Sequence, residues 1–400
     1  MNKIELLAPA GDLKRCQIAI RYGADAVYIG GKRFSLRSRA SNFDIENITK
    51  ACEFAKKYNA RIFVTVNMIP HDEDILELDE YLIDLENAGV SAIIVASPYI
   101  MKRCKDLTNM EVHVSTQINT TNSLCIKEFE KDKVDRVVVA RECDINQIKA
   151  ITSHTNMPVE IFIHGGMCSN FSGRCTLSNA MTLRDANRGG CAQSCRWKYH
   201  LLENDEVISD ENDLFSMSST DLVATNYIQD LIYANVASLK IEGRMKSEYY
   251  IATVVKTYRD LIDEIYANNN VYLSKERLEY YANEIAKAEN RPTNDGFLNG
   301  LPTHNHHLYG VNGAGVTHEF VCYVKDYDPN NKLALVESRN YFKLNDELEI
   351  FGPNTNNKKF KLLEMYDMDH NPLEISNQPM RKLYLKVDFE VFEHDMIRKV

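Results

Sequence analysis

The sequence has no long apolar segment. No run among its 400 residues approaches the roughly 20 consecutive apolar residues that a membrane-spanning helix requires. Glu5 lies where a secretory signal peptide needs its apolar region. We therefore expect a cytoplasmic protein with no membrane association. Thiols stay reduced in the cytoplasm, so grouped cysteines there predict metal ligands or redox groups and not disulfides.

Two common hydrolase signatures are also absent. The sequence contains neither the HExxH motif of zinc peptidases nor the GxSxG motif of serine hydrolases. A thiol peptidase stays open, because His164 closely precedes Cys168 and could act as its base. A peptidase of that kind needs only one reactive thiol, however, and this chain groups several.

Positive charge is in the minority. The chain carries 47 Lys and Arg against 57 Asp and Glu, a net charge of −10. This balance argues against non-specific nucleic-acid binding by the whole surface, but it leaves room for a local basic patch. Four arginines fall within one short segment: Arg174, Arg184, Arg188 and Arg196.

The most distinctive feature of the chain is a group of four cysteines within 28 residues: Cys168, Cys175, Cys191 and Cys195. Glycine and small polar residues surround them, so this loop needs something to hold it together. Four thiolates suit either zinc or a 4Fe–4S cluster. The spacing lacks the CxxC pairs of zinc ribbons and favours the cluster, with structural zinc and free thiols as the alternatives.

Short β-branched runs alternate with segments of helical periodicity up to about residue 265. The predicted strands are Ile4–Leu7, Ala26–Ile29, Arg61–Val66, Ala92–Val95, Val112–Ser115, Arg136–Val139, Val159–Ile163 and Ala237–Ile241. Strand–helix alternation predicts parallel pairing, and eight units over roughly 250 residues are typical of a (β/α)8 TIM-like barrel. An open doubly wound sheet is the alternative, because periodicity cannot show closure.

We predict three regions along the chain. Residues 1–265 form the TIM-like barrel, with a Cys-rich insertion at 165–213 after strand seven. Residues 266–315 form a helical connector. Residues 316–400 show short strand-like runs separated by turn residues. This pattern predicts a small C-terminal β-barrel domain. Because barrel chemistry occurs at the C-terminal ends of the strands, the insertion would cap the active face.

Polar residues at the predicted strand ends give a second signal. They are Arg37 and Arg39 after strand two, Asn67 after strand three, Gln117 after strand five, Arg141 and Glu142 after strand six, His164 at strand seven, and Glu242 and Arg244 after strand eight. Arginine binds carboxylate and phosphate groups bidentately, so this face should favour an anionic ligand. A phosphate backbone, a dicarboxylate or both would fit. The plain alternatives are salt bridges at the barrel rim and, for His164, a hydrogen bond to the loop.

Several motifs resemble the collagenase-like peptidase family U32 and, within it, the bacterial tRNA hydroxylation proteins. The resemblance covers most of the chain and rests on ELLAPAGD at 5–12, YGADAVY at 22–28, HGGMC at 164–168, SGRC at 172–175 and KIEGR at 240–244. It implies oxygen-independent hydroxylation of the wobble uridine of tRNA to 5-hydroxyuridine. Relatives in this family hydroxylate rRNA cytidine or ubiquinone.

The resemblance also implies a cofactor, a co-substrate and partners. It places a 4Fe–4S cluster on the four grouped cysteines and makes prephenate the source of the hydroxyl oxygen. The expected partners are the tRNA anticodon loop and either a paralogous subunit or an electron donor. The candidate catalytic residues are Gln117, Glu142, His164 and Glu242; the candidate substrate-binding residues are Arg37, Arg39, Asn67, Arg141 and Arg244.

Two other functions stay open at this point. The first is a peptidase of the U32 type. The second is a non-catalytic protein whose zinc site orders an RNA-binding loop. Iron and sulfide analysis of anaerobically purified protein would separate a cluster from zinc.

Overall fold

Eight parallel strands close into a barrel in the computed structural model, which describes residues 3–36, 42–210, 214–268, 271–289, 291–308 and 318–400. The barrel strands, numbered along the whole chain, are β1 Glu5–Pro9, β2 Ala26–Gly30, β3 Arg61–Val66, β4 Ala92–Val95, β5 Glu111–Val114, β6 Arg136–Val138, β7 Val159–Gly166 and β12 Ser238–Ile241. Strand β12 closes the barrel, because Ser238 pairs with Glu5 of β1 and with Glu160 of β7. The predicted TIM-like barrel is confirmed, and the open sheet is ruled out.

The structure describes ten helices, most of which follow a strand and cover the barrel. They are α1 Leu13–Arg21, α2 Ile45–Lys57, α3 Leu78–Asn87, α4 Pro98–Leu107, α5 Ser123–Lys131, α6 Ile145–Ser153, α7 Leu177–Thr182, α8 Ile228–Tyr233, α9 Glu248–Ala267 and α10 Lys275–Ala286. Asp12 and Asp44 cap α1 and α2 by accepting hydrogen bonds from backbone N–H groups of the first turn. Gly23, at φ +108°, ends α1 in the left-handed region that glycine adopts without strain. Local capping chemistry therefore defines where α1 and α2 begin and where α1 ends.

The barrel interior has an apolar layer and a charged layer. The apolar layer is a cluster of Leu7, Ala26, Tyr28, Phe63, Ala92 and Ile94. The charged layer lies near the N-terminal ends of the strands, where Arg61 bridges Glu5 and Glu111, and Arg136 bridges Glu5 and Glu160. Opposite charges are thus paired throughout this layer, which closes the bottom of the barrel.

The chain leaves the barrel between β7 and β12 to build a cap, whose described residues are 167–210 and 214–217. The cap contains α7 and a short hairpin, β8 Leu202–Glu203 with β9 Glu206–Val207. After it come β10 Ser218–Ser219 and β11 Asp221–Val223, and β11 pairs antiparallel with β7. This pairing extends β7 beyond its predicted end to Gly166, so that His164 lies inside the strand.

The segment after α9 is bound to both barrel and cap. Helix α10 packs on α9. Strand β13 Thr293–Asn294 adds to β11, and β14 His307–Leu308 pairs with β10. No helix within the described ranges is long and apolar enough to cross a membrane.

The C-terminal domain is an antiparallel sheet with a core of its own. Its strands are β15 Phe320–Asp328, β16 Leu333–Ser338, β17 Phe342–Lys343, β18 Glu347–Phe351, β19 Lys358–Lys361, β20 Met365–Tyr366, β21 Ile375–Ser376, β22 Lys382–Lys386 and β23 Met396–Lys399. Seven of them form one sheet in the order β19-β18-β23-β15-β16-β22-β20, and β17 pairs separately with β21. The predicted C-terminal β domain is confirmed, and its sheet is a half-barrel.

Candidate active site at the barrel mouth

A cavity of about 210 Å³ lies between the C-terminal ends of the barrel strands and the cap. Its floor includes Tyr28, Phe162 and Lys240 from β2, β7 and β12. The loops after β3, β5, β6 and β12 contribute the wall, and the cap contributes the roof. TIM-barrel enzymes place their active sites at this end of the barrel.

All four grouped cysteines line this cavity: Cys168, Cys175, Cys191 and Cys195. None is in a disulfide. Cys175 Sγ accepts a hydrogen bond from Asn170 Nδ2 at 3.4 Å. Burial raises the pKa of the Cys195 thiol, which a hydrogen bond from Ser169 and the nearby Arg196 partly offset. The fold therefore gathers four reduced thiols onto one cavity, although 27 positions separate the first from the last.

Four cysteine thiolates are the donor set that a 4Fe–4S cluster uses. In the part of the chain that the structure describes, no three His, Cys, Asp or Glu side chains lie close enough to share one metal ion. A cluster makes a different demand, because each thiolate binds a separate iron and the sulfur atoms stand further apart than around one ion. Cys168, Cys175, Cys191 and Cys195 could hold such a group between the cap and the barrel.

Two predicted arginines reach the cavity, Arg141 from the loop after β6 and Arg244 from the loop after β12. The Arg141 guanidinium lies 3.9 Å from the centre of the Phe162 ring, and its Nη2 lies 3.9 Å from Glu242 Oε2. Arg244 is buried, and both of its Nη atoms lie 3.4 Å from Ser35 Oγ. A Cβ atom on Gly30 would lie 1.7 Å from Arg244 Nη1, so the missing side chain makes room for this guanidinium. Arg37 and Arg39 lie outside the described residues.

Glu242 is held at the same wall. Its Oε2 accepts a hydrogen bond from the Tyr28 hydroxyl at 2.9 Å. Asn67 and Gln117 also line the cavity, and both take part in local hydrogen bonds. Asn67 Oδ1 accepts from the Leu36 backbone N–H, and Gln117 Oε1 accepts from Ser115 Oγ. The cavity thus presents guanidinium, carboxylate and amide groups beside the thiols.

Glu142 attaches the cap to the barrel. Its Oε1 accepts hydrogen bonds from the Ser172 backbone N–H at 2.8 Å and from Ser172 Oγ at 3.1 Å. Its Oε2 accepts from Asn119 Nδ2 at 3.2 Å. One carboxylate therefore fixes the turn between Cys168 and Cys175.

His164 faces away from the thiols. Its side chain is buried and is not part of the cavity lining. Nε2 lies 2.8 Å from Glu289 Oε1, and Nδ1 lies 3.4 Å from the Tyr258 hydroxyl. The ring also packs against Tyr250. The structure brings the other described candidate residues around the cavity and places His164 behind its wall.

One residue of the cavity was missed from the sequence. Lys240 is buried at the cavity floor, and its Nζ lies over the rings of Tyr28 and Phe162 at 4.7 and 5.2 Å. It donates to Glu160 Oε1 at 2.7 Å. The sequence did contain a signal for Lys240. This residue lies on a predicted strand two positions before Glu242, and side chains two positions apart on a strand point to the same face of the sheet.

The fold and the site define a class of protein: a TIM-like barrel whose mouth carries a thiol-lined cavity under a Cys-rich cap. The profile of Peptidase family U32 matches residues 11–308, and that of the Peptidase family U32 C-terminal domain matches residues 316–398. The chain belongs to peptidase family U32.

Three curated relatives carry different names. The tRNA hydroxylation protein P1 of Bacillus subtilis is 42% identical over 405 residues, covering 100% of this chain and 95% of that protein. The 23S rRNA 5-hydroxycytidine C2501 synthase of Escherichia coli is 38% identical over 302 residues, or 74% of this chain and 46% of that protein. The Collagenase of Porphyromonas gingivalis is 30% identical over 376 residues, or 89% of this chain and 88% of that protein.

Proposed function

We propose that this protein hydroxylates RNA, and that its substrate is the wobble uridine of tRNA, which becomes 5-hydroxyuridine. The observation that carries the proposal is the cavity at the barrel mouth, where four thiols face arginine and carboxylate side chains. Support also comes from similarity over the whole chain to a protein named for tRNA hydroxylation. A uridine in the anticodon loop can leave its stack at a lower cost than a paired base. Such a substrate would be met in the cytoplasm.

The four thiols would hold a 4Fe–4S cluster. When bound, such a cluster supplies a centre for electron transfer or for organising the oxygen donor. The cap residues then have a defined task, which is to keep Cys168 and Cys175 on the same side of the cavity as Cys191 and Cys195. Glu142 does this for the first pair through Ser172.

The remaining cavity residues would bind and orient the reactants. Arg141 and Arg244 supply positive charge for an anionic co-substrate, for which we propose prephenate with its carboxylates. Glu242 would accept or donate a proton at the cavity wall, and the Gln117 amide would orient a reactant by hydrogen bonding. His164 would support the wall from behind, because its ring is engaged by Glu289 and Tyr258.

A deletion strain tests the substrate assignment. Nucleosides from its tRNA and its rRNA are analysed separately by mass spectrometry, before and after the gene is restored. We expect 5-hydroxyuridine and its derivatives to disappear from tRNA and to return on complementation. A loss of 5-hydroxycytidine from rRNA instead would move the proposal to the other RNA. Unchanged levels of both, in a strain with no second copy of the gene, would reject it.

The geometry favours hydroxylation over thiol peptidase chemistry. A cysteine peptidase needs an imidazole beside its nucleophile. The His164 ring lies outside the cavity that Cys168 lines, against Glu289. Cleavage of denatured collagen that is lost in Cys168→Ala protein with unchanged iron content would restore the peptidase alternative.

A further inference from the structure

Phe171 is an exposed aromatic residue at the rim of the cavity. It lines the cavity and is 65% exposed. Single exposed apolar residues are ordinary on protein surfaces. Phe171 differs from them in its position, between Cys168 and Cys175 on the loop that covers the thiols.

The turn that carries Phe171 is fixed on several sides. The Phe171 carbonyl oxygen accepts a hydrogen bond from the Arg174 backbone N–H at 3.1 Å. Ser172 is held by Glu142, as described above. Gly173 adopts φ +69°, and a Cβ atom there would lie 1.8 Å from the Gln117 carbonyl oxygen. The backbone on both sides is therefore fixed, while the ring itself stays open to solvent.

The segment of the chain that carries Phe171 is rich in cations. Residues 167–200 contain five cations, Arg174, Arg184, Arg188, Arg196 and Lys198, against one acid, Asp185, in a protein of net charge −10. Arg174, Arg184 and Lys198 are exposed, and none of them forms an ion pair with any residue in the described ranges. An exposed ring on a segment that also carries exposed cations matches single-stranded nucleic acid, in which flat bases alternate with phosphates.

We propose that Phe171 is a stacking platform for an unpaired RNA base beside the one that enters the cavity. The inference rests on the proposed function and adds a contact that distinguishes a single-stranded RNA loop from a duplex. A fixed backbone lowers the conformational entropy lost on binding, and stacking on an aromatic side chain works with any base. The cap cations would hold the flanking phosphates.

Binding of a fluorescently labelled tRNA anticodon stem–loop to the full-length protein tests this inference. We expect Phe171→Leu to weaken binding roughly 5- to 150-fold, the usual worth of one stacked base, and Phe171→Tyr to bind like the wild type. A residue that only packs the cap would tolerate leucine as well as tyrosine. Phe392→Leu is the matched control, since this phenylalanine is 39% exposed on the C-terminal domain.

Each outcome has a separate meaning. If the wild type binds the stem–loop and Phe171→Leu binds it equally well, the stacking role is wrong and the proposed function stands. If Phe171→Leu weakens binding of a fully paired RNA duplex to the same extent, the ring does not contact an unpaired base. If the wild type does not bind the stem–loop, both proposals fail.

A fluorescence reporter gives a second measurement. Trp197 is the only tryptophan of the chain, so Trp197→Phe combined with Phe171→Trp places a single indole on the turn. We expect the stem–loop to quench its emission and the duplex to leave it unchanged. The inference would be overturned if the variant still binds the stem–loop but its tryptophan emission does not change on binding.

Discussion

Lys240 is a buried ammonium whose charge is balanced by Glu160. Burial alone would raise the pKa of the Glu160 carboxyl, but Lys240, Arg136 and His113 outweigh burial and lower it to about 2. Removing one partner of a buried pair leaves the other charge uncompensated, which costs about 3–5 kcal/mol. We therefore expect Glu160→Gln to lower the free energy of unfolding by that amount at pH 7, measured by denaturant titration.

A double variant provides the control for this pair. Glu160→Gln with Lys240→Met removes both charges, so its free energy of unfolding should recover a large part of the loss. The single variant Lys240→Met is measured as well. If the losses of unfolding free energy in Glu160→Gln and Lys240→Met simply add in the double variant, the two side chains do not depend on each other.

The same carboxyl predicts a pH dependence. Its pKa is lower in the folded protein than in the unfolded chain, where it is about 4.3. Its stabilisation is therefore fully present above that value and is lost as the pH falls towards about 2. The stability difference between wild type and Glu160→Gln should shrink across this window. If the stability difference between wild type and Glu160→Gln stays constant from pH 7 down to about pH 2, the ionised Glu160 carboxylate does not stabilise the fold.

At the scale of elements, the cap depends on Glu142. Hydrogen bonds to a charged group contribute about 1.5–3 kcal/mol each, and Glu142 receives two of them from Ser172. We expect Glu142→Ala to speed hydrogen exchange in residues 170–176 while the global unfolding midpoint changes little. Glu130→Ala on the outer helix α5 is the control. Unchanged exchange in the cap would show that the barrel does not hold this turn.

The cysteines of the cap lead to a prediction about the iron and sulfide content of the protein. Single Cys168→Ser and Cys191→Ser variants should lose most iron and acid-labile sulfide after anaerobic preparation, because each removes one cluster ligand. Cys125→Ser on α5 should keep both, since that thiol is outside the cavity. Zinc without sulfide in the wild type would reject the cluster.

Barrel and cap differ in how well the sequence predicted them. The eight strands were found because β-branched runs and left-handed residues such as Gly23 and Gly89 are local signals. The grouping of the four cysteines was also predictable, from their number and spacing. The antiparallel strand β11 was not, because its partner β7 lies far from it along the chain. For the same reason the contact between His164 and Glu289, which are 125 positions apart, left no local trace.

At the scale of the whole molecule, Arg398 joins the two domains. It is fully buried, its Nε donates to Glu349 Oε2 at 2.7 Å, and its Nη2 donates to Glu284 Oε2 of α10 at 2.8 Å. Tyr249 of α9 also stacks on Phe320 with ring centres 5.5 Å apart. The half-barrel is therefore docked on the helices by a desolvated charge group and an aromatic pair.

Breaking this contact should separate the unfolding of the domains. Arg398→Gln leaves Glu284 and Glu349 buried with less compensating charge, at a cost of about 3–5 kcal/mol. We expect calorimetry to show two transitions in place of one, with the half-barrel retaining its own core. Lys361→Gln, an exposed residue of β19 at the edge of the sheet, is the control. One unchanged transition in Arg398→Gln protein would show that the domains are coupled elsewhere.

The central claim is that the thiol-lined cavity carries out the hydroxylation. The most direct measurement is the 5-hydroxyuridine content of tRNA from cells whose only copy of the gene encodes Cys168→Ser, compared with Cys125→Ser and wild type. We predict that the modified nucleoside is lost with Cys168→Ser and kept with Cys125→Ser, at equal protein levels. Normal 5-hydroxyuridine in the Cys168→Ser strain would contradict the claim.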